Sequence, residues 1–353
     1  MPARPDYDGG GNKVQRVNTR HLDASNPLHR QEAITLLSQG GLVAIPTETV
    51  YGLAADARNP QAVARIFTAK GRPPGHPLIV HIHDRKQLHH CVGDVPEHAD
   101  RLAELFWPGA LTLILPKHPS VSPVITGGLD SVAVRVPAHD VLRGILHKLN
   151  TGLAAPSANP YRGLSPTRAE HVLAGLDGRI DAVLDDGPCA LGLESTIVDL
   201  TGTTPRLVRP GPISREVLQR ALQKEFEDDH GQTAAPGNDI IHYRPRTPAY
   251  RADQDLIKST LDNYRKKGLR VGVISMAPYE APHHGPAPQR WLQLPADKHS
   301  YGRDLYHTMH ELDGSNVDVI LIQQPPSTAE WLDVLNRLEK ATDPVRVNRD
   351  DGL

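Results

Sequence analysis

The stretch Leu42-Val43-Ala44-Ile45-Pro46-Thr47-Glu48-Thr49-Val50-Tyr51-Gly52, written LVAIPTETVYG, decides how the chain is read. Leu42 to Ile45 is a short apolar run of the kind that makes a buried strand. The chain then leaves its core and at once presents two threonines, a carboxylate and a phenol. A surface loop needs only solubility. Small hydroxyl groups at a strand end suit the place where α/β proteins bind ligands.

Outward from this stretch, helical and extended patterns alternate. Residues 31–38 carry apolar side chains at helical spacing, and Gly40-Gly41 stops them. Asn59-Pro60 reads as an N-cap with proline at the first helical position, and Val63, Ile66 and Phe67 form the stripe that follows. Strands are expected at residues 78–82, 111–115, 132–136, 180–184, 195–200 and 206–209. Helices are expected at 85–91, 97–106, 141–149, 167–176 and 215–224. From residue 225 to 247 periodicity fails and charge, Gly and Pro dominate, as in a linker. Beyond it, helices (254–267, 301–312, 328–341) alternate with strands (269–275, 317–322), which suggests a small parallel sheet. The expected division is a flexible N-terminal extension at 1–27, a mixed α/β catalytic domain at 28–224, the linker at 225–247 and a second domain at 248–353.

Composition narrows the classes. At 353 residues, two domains are the default. The formal net charge of −2 gives no global electrostatic case for a nucleic-acid-coating protein. Cys91 and Cys189 lie far apart and outside any CxxC pattern, so two reduced structural thiols are expected. No HExxH or comparable metal spacing is present. No apolar run is long enough to span a bilayer, and MPARPDYDGGGNK lacks the hydrophobic stretch of a signal peptide, so a cytoplasmic protein is expected.

Several short segments carry chemistry. Lys70-Gly71-Arg72-Pro73-Pro74-Gly75-His76-Pro77 places two cations in a stiff loop, where Arg72 offers a planar fork to phosphate and Lys70 a point charge. Taken alone, the same residues are an ordinary helix C-cap turn. His81 lies inside a strand, where a satisfied core histidine is the plainer reading. Arg135 in Val132-Ala133-Val134-Arg135-Val136 needs a partner, either an internal carboxylate or an anionic ligand. Ser157 and Asn159 in AAPSANP suit a phosphate or a helix cap. Glu194, Ser195 and Thr196 open another strand, and Arg209 ends one. If these strands share one sheet, the groups converge on a cleft for a polyanion and a small polar molecule. The GxxxxGK[ST], GxGxxG and GxSxG motifs are all absent.

In order, PTETVYGLAADA, KGRPPGHPLIVHI, WPGALTLIL, VAVRVP, AAPSANP, ESTIVDL and LVRPGPI resemble the YrdC/Sua5 family. The match covers residues 30 to 215. YGRDLYHTMHELD and LDVLNRLEKAT extend it to the longer, Sua5-type members. The resemblance implies a YrdC-like twisted mixed sheet with a concave active-site face, plus a small Rossmann-like α/β C-terminal domain. It implies an L-threonylcarbamoyladenylate synthase, which joins L-threonine, bicarbonate or CO2, and ATP into threonylcarbamoyl-AMP and releases pyrophosphate. A downstream threonylcarbamoyl-transferase complex then modifies adenosine in tRNAs that read ANN codons.

Carried over by motif, Thr47, Thr49, His81, Arg135 and Ser195 are expected at L-threonine. Lys70, Arg72, Ser131, Ser157, Ser165 and Arg209 are expected at ATP, with Asn159 and Thr196 lining the pocket. Lys70 and Arg72 are the expected catalytic cations. Mg2+ is expected with ATP, with no protein-held metal. His76 stands where the family usually has asparagine. His242 and Tyr243 match a family HYxP segment expected to close over the nucleotide, and Asn238 stands in place of a methionine. A rival reading is an RNA-binding module of a tRNA-modification complex without its own adenylation activity, with weak tRNA contact. The 4% aromatic content argues against stacking platforms for single strands. A second rival, carbamoyl transfer as in hydrogenase-maturation proteins, lacks the acylphosphatase and zinc-finger-like regions it needs.

Overall fold

Alternation decides which way each strand faces, and here it separates an apolar face from a chemical one. The computed structural model describes residues 17–229, 231, 233–235, 242–278 and 288–345. Its described residues form two compact units, one within residues 1–161 and 165–238, the other within 162–164 and 239–353. Among these residues no helix is long and apolar enough to cross a membrane.

The first unit holds strands β1 Arg20–Asp23, β2 Val43–Ile45, β3 Gly52–Asp56, β4 Ile79–His81, β5 Leu111–Pro116, β6 Ser131–Arg135, β7 Leu153–Ala154, β8 Ala182–Asp185, β9 Thr196–Asp199, β10 Arg206–Arg209 and β11 Glu227–Asp228. They form one mixed sheet in the order β1-β8-β2-β3-β7-β4-β6-β5-β9-β10-β11. Leu111, Leu113 and Leu115 of β5, Val132 and Val134 of β6, and Val80 of β4 enter the main core. There they meet Val63 and Ile66 of helix Pro60–Lys70 and Leu102 of helix Glu97–Phe106. Each such side chain contributes about 1.5–3 kcal/mol on burial. On the other face, helices Pro27–Ser38 and Asp140–Leu149 cover only one half of the sheet, over β2, β3, β7 and β8. The half made by β4, β6, β5, β9 and β10 shows a small apolar floor of Ile79, Ile114, Ala133, Ile197 and Val208. That floor lies beside His81, Arg135 and Arg209.

The helix that delivers Lys70 is built by local signals. Asn59 accepts hydrogen bonds from Gln61 N and Ala62 N, both at 3.1 Å, and Pro60 takes the first helical position. Gly71 ends the helix in the left-handed conformation, with φ 62°.

Two expectations about domain limits need correction. Arg20–Asp23 falls inside the stretch expected as a flexible extension, yet it pairs in parallel with β8, His21 opposite Val183. Leu22 is its only buried residue, too little for a strand signal in sequence. The first part of the expected linker also belongs to the sheet, because Glu227 and Asp228 pair with β10. Residues 1–16 and Asn238 lie outside the described residues.

The second unit is a five-stranded parallel sheet: β12 Ala249–Ala252, β13 Val271–Ser275, β14 Arg290–Gln293, β15 Val319–Gln323 and β16 Asp343–Pro344, in the order β14-β13-β15-β12-β16. Residues 162–164 join it through Gly163, bridged to Arg244.

One glycine position tests this packing. Gly127 has φ 64°, and a Cβ there would lie 2.3 Å from the carbonyl oxygen of Gly75 in the KGRPPGHP loop. Gly127→Ala should lower stability to urea by about 1 kcal/mol or more. Gly144→Ala, in the helix Asp140–Leu149 with open space around it, should instead raise stability by about 0.5–1 kcal/mol.

Candidate active site

Register builds the site from strands far apart in sequence. His81 of β4 pairs with Arg135 of β6, and Ile197 of β9 pairs with both Thr112 of β5 and Arg209 of β10. Thr112 sits one residue before Leu113, whose partner Val134 sits one residue before Arg135. Directly paired residues share a face, so His81, Arg135, Thr112, Ile197 and Arg209 run as a buried row across the half of the sheet that the helices Pro27–Ser38 and Asp140–Leu149 leave uncovered. Ser131 lies on the same face of β6 as Arg135, about 13 Å along the strand.

Arg135 is 3% exposed and held on three sides. Its Nε donates to Gly109 O at 3.0 Å and its Nη1 to Thr49 Oγ1 at 2.9 Å. Nη2 lies 2.7 Å from Glu48 Oε1 in a buried ion pair. The internal carboxylate that the strand pattern left open is therefore Glu48. Burial would raise the pKa of Glu48, but the Arg135 charge and the Ala138 N–H donated to Oε1 hold it below the usual value. His81 is buried, and its Nδ1 has no hydrogen-bond partner. Burial first, then the Arg135 charge, lowers its pKa to about 3, so the imidazole is neutral at physiological pH. Two buried nitrogens on paired strands, His81 Nδ1 and Arg135 Nη2, are thus positioned for a further acceptor.

The PTETVYG loop is a knot closed on Thr47. Thr47 Oγ1 donates to Val50 O at 2.7 Å and accepts from Thr49 N and Val50 N. It lies 2.8 Å from Thr49 Oγ1. Thr47 is therefore spent on shaping the loop, while Thr49 connects it to Arg135. Tyr51 OH donates to Gly187 O at 2.7 Å and anchors the loop's far end.

Lys70 is buried in the last turn of its helix and donates to Ser157 O and Asn159 O. Burial, reinforced by the Arg72 charge, holds its pKa well below the usual lysine value. Arg72 donates to Pro77 O at 3.2 Å and lies over the Phe67 ring. His76 meets Tyr161 edge-on. Ser195 Oγ sits 2.7 Å from Thr112 Oγ1 and accepts from Arg209 Nη2 at 3.1 Å, while Arg209 Nε donates to Ser195 O. Ser165 donates to Glu194 Oε1 at 2.5 Å. The Thr196 hydroxyl donates to Ile213 O and accepts from Ile213 N, so it fixes the RPGPI turn. His242 and Tyr243 belong to the second unit, where Tyr243 packs on Tyr306 and under the Arg337 guanidinium.

Sequence reasoning passed over Thr112. Its only signal is one hydroxyl in the otherwise apolar strand LTLIL. The partnerships Glu48–Arg135 and Glu194–Ser165 carry no local signal. Cys91 and Cys189 are buried thiols that burial pushes up to about 11 and about 12, so neither is activated.

Residues 35–211 match the Sua5/YciO/YrdC family model, described as telomere recombination. Residues 213–342 match a second model, described as the threonylcarbamoyl-AMP synthase C-terminal domain. The chain belongs to the Sua5/YrdC family, in its two-domain Sua5-type form. It is 38% identical to the threonylcarbamoyl-AMP synthase of Bacillus subtilis, covering 92% of this chain and 95% of the relative. It is also 38% identical to that of Pyrococcus abyssi, covering 88% and 93%. The crystal structure of P. abyssi Sua5 complexed with L-threonine superposes with a TM-score of 0.85 at 35% identity, over 94% of this chain and all of that one.

The buried pair sets an acid limit. A lowered folded pKa means that the unfolded chain binds more protons, so stability rises with pH. The Glu48 contribution is complete above its ordinary value of 4.5 and is lost as pH falls through its depressed folded value. The His81 contribution is complete above 6.5 and is lost between 6.5 and about 3. Glu48→Gln should cost about 3–5 kcal/mol at pH 7 by stranding Arg135, and should flatten the pH dependence below 4.5. Urea titrations from pH 3 to 7 check both, and an unaltered acid slope would reject the assignment.

Proposed function

We propose that the protein is an L-threonylcarbamoyladenylate synthase, forming threonylcarbamoyl-AMP and pyrophosphate from L-threonine, bicarbonate or CO2, and ATP. The observation that carries this reading is the likeness, over 94% of the chain, to P. abyssi Sua5 solved with L-threonine, together with a buried row of cations and hydroxyls across one face of the sheet. The product would serve a threonylcarbamoyl-transferase complex acting on tRNA. In chemical class the enzyme is a nucleotidyltransferase.

In this reading the threonine carboxylate meets His81 Nδ1, which has no hydrogen-bond partner among the described residues, and Arg135 Nη2 beside its Glu48 ion pair. Thr49 and Ser195 complete that end of the pocket. The amine adds to CO2 and gives up a proton, and the resulting carbamate is a weak oxygen nucleophile. One carbamate oxygen attacks the α-phosphorus of ATP, the bond to the bridging oxygen breaks, and pyrophosphate leaves. Two anions must approach each other, so the barrier is electrostatic. Lys70, Arg72 and Arg209 lower that repulsion and stabilise the leaving group. Ser131, Ser157, Ser165 and the loops of His76, Asn159 and Thr196 hold the nucleotide, and Mg2+ arrives with ATP as part of the substrate. No protein nucleophile is used; rate comes from positioning and charge.

Pyrophosphate release that requires ATP, L-threonine and bicarbonate together is the expected activity. Lys70→Ala and Arg72→Ala should each lower it by about 100-fold or more while leaving the fold intact by circular dichroism. Near-normal turnover in both variants would remove these roles. Salt-sensitive tRNA binding with no pyrophosphate release would favour the RNA-binding reading instead.

A further inference from the structure

The second unit contains a cavity of about 370 Å³ that the adenylation chemistry does not use. It lies between the helix Gln254–Lys266 and the carboxyl ends of β13 and β15, and every lining residue falls between 254 and 323. Sheet order explains its position. The chain leaves β13 toward β14 on one side and leaves β15 toward β16 on the other. Loops that diverge from adjacent parallel strands open a crevice, and that switch point is where such sheets bind ligands.

Ser275 and Gln323 are the last residues of the two strands and lie side by side there. Ser275 Oγ donates to Gln323 Oε1 at 2.6 Å, and Met276 N–H donates to the same oxygen at 2.9 Å. A backbone N–H can only donate, so it fixes which end of the amide is oxygen. Nε2, with two hydrogens, has no partner among the described residues, and Gln323, 3% exposed, lines the cavity. The opposite wall also ends in a donor: Arg265 Nη2 is buried with no hydrogen-bond partner, while Nη1 reaches Asp262. Three acceptors on the strand side are already engaged. Ala277 O takes Trp291 Nε1, Met276 O takes Gln293 Nε2, and Ser275 Oγ takes Ala277 N–H. Between these polar ends the wall is apolar, from Ile257, Leu261, Pro278 and the Trp291 ring.

We propose that this cavity binds a small organic carboxylate with a flat or branched apolar body. The carboxylate accepts from Gln323 Nε2 or Arg265 Nη2, and the body lies against Trp291 and Leu261. A polyphosphate is disfavoured, because Asp255 and Asp262 offset Lys258 and Arg265 along the lining. The volume is at the low end for ligand pockets, which run from about 300 to 1,000 Å³.

The probes are benzoate and indole-3-acetate, with benzyl alcohol as the uncharged control. Binding to the full chain is followed by saturation-transfer NMR and calorimetry. Both acids should bind saturably and the alcohol at least about tenfold more weakly. Gln323→Glu keeps the oxygen that Ser275 and Met276 need but replaces the donors with a charged acceptor. It should weaken both acids by at least about tenfold in a chain that still folds by circular dichroism. Leu261→Trp, which fills the cavity, should block them independently. Lys70→Ala should bind them as the parent does, which separates this site from the adenylation chemistry. No saturable binding to the parent, or undiminished binding in the folded Gln323→Glu or Leu261→Trp chain, would overturn the proposal.

Discussion

The buried contact between Glu48 and Arg135 ties the PTETVYG loop to the middle of the sheet. A guanidinium in so apolar a strand cannot stay charged without partners, because desolvation would exceed anything packing returns. Arg135 finds them in Glu48, Thr49 and Gly109 O, from two loops separated from it in sequence. The same contacts that make its burial tolerable therefore aim Thr49 and hold the loop over the sheet. An apolar pair of similar volume would often stabilise a fold at least as well. Stability alone therefore does not account for charge at this place.

That open face exists because the helices are unevenly distributed. One side of the large sheet is packed along its length, and the other is packed only over β2, β3, β7 and β8. Where those helices stop, the strands carry buried apolar side chains, with Ala235 packed on them, beside His81, Arg135, Thr112 and Arg209. The floor of Ile79, Ala133 and Ile197 keeps the surface low, and the polar row gives it sign. Lys70 is brought in from a helix end, and two backbone carbonyls orient its amine. The site thus combines a rigid sheet with loops whose hydroxyls are mostly already committed, as Thr47 and Thr196 illustrate.

Local signals were legible wherever the physics is local. Asn59, Pro60 and Gly71 bound a helix through contacts within one turn, and VAVRV shows its two faces by alternation alone. Gly52–Asp56 was not legible as a strand, because Gly and Ala have little intrinsic preference for extended structure. It is a strand only because β2 and β7 flank it. Arg20–Asp23 is the same case at the sheet edge. Within the site, the cations and hydroxyls could be named from the seven motifs, but their partners could not.

The sequence by itself therefore determined the inventory: which segments form helices and most strands, which side chains can carry charge to a phosphate or a carboxylate, and which family the ordered motifs resemble. Only the tertiary structure decided that Glu48 answers Arg135, that Thr112 sits against Ser195, that Thr47 and Thr196 serve the backbone, and that Gln323 lines a cavity of the second unit. Capping and periodicity act between residues a few positions apart, so they are written in order along the chain. Ion pairs, register and uncovered faces arise between segments dozens of residues apart, and they come into being only when the sheet closes.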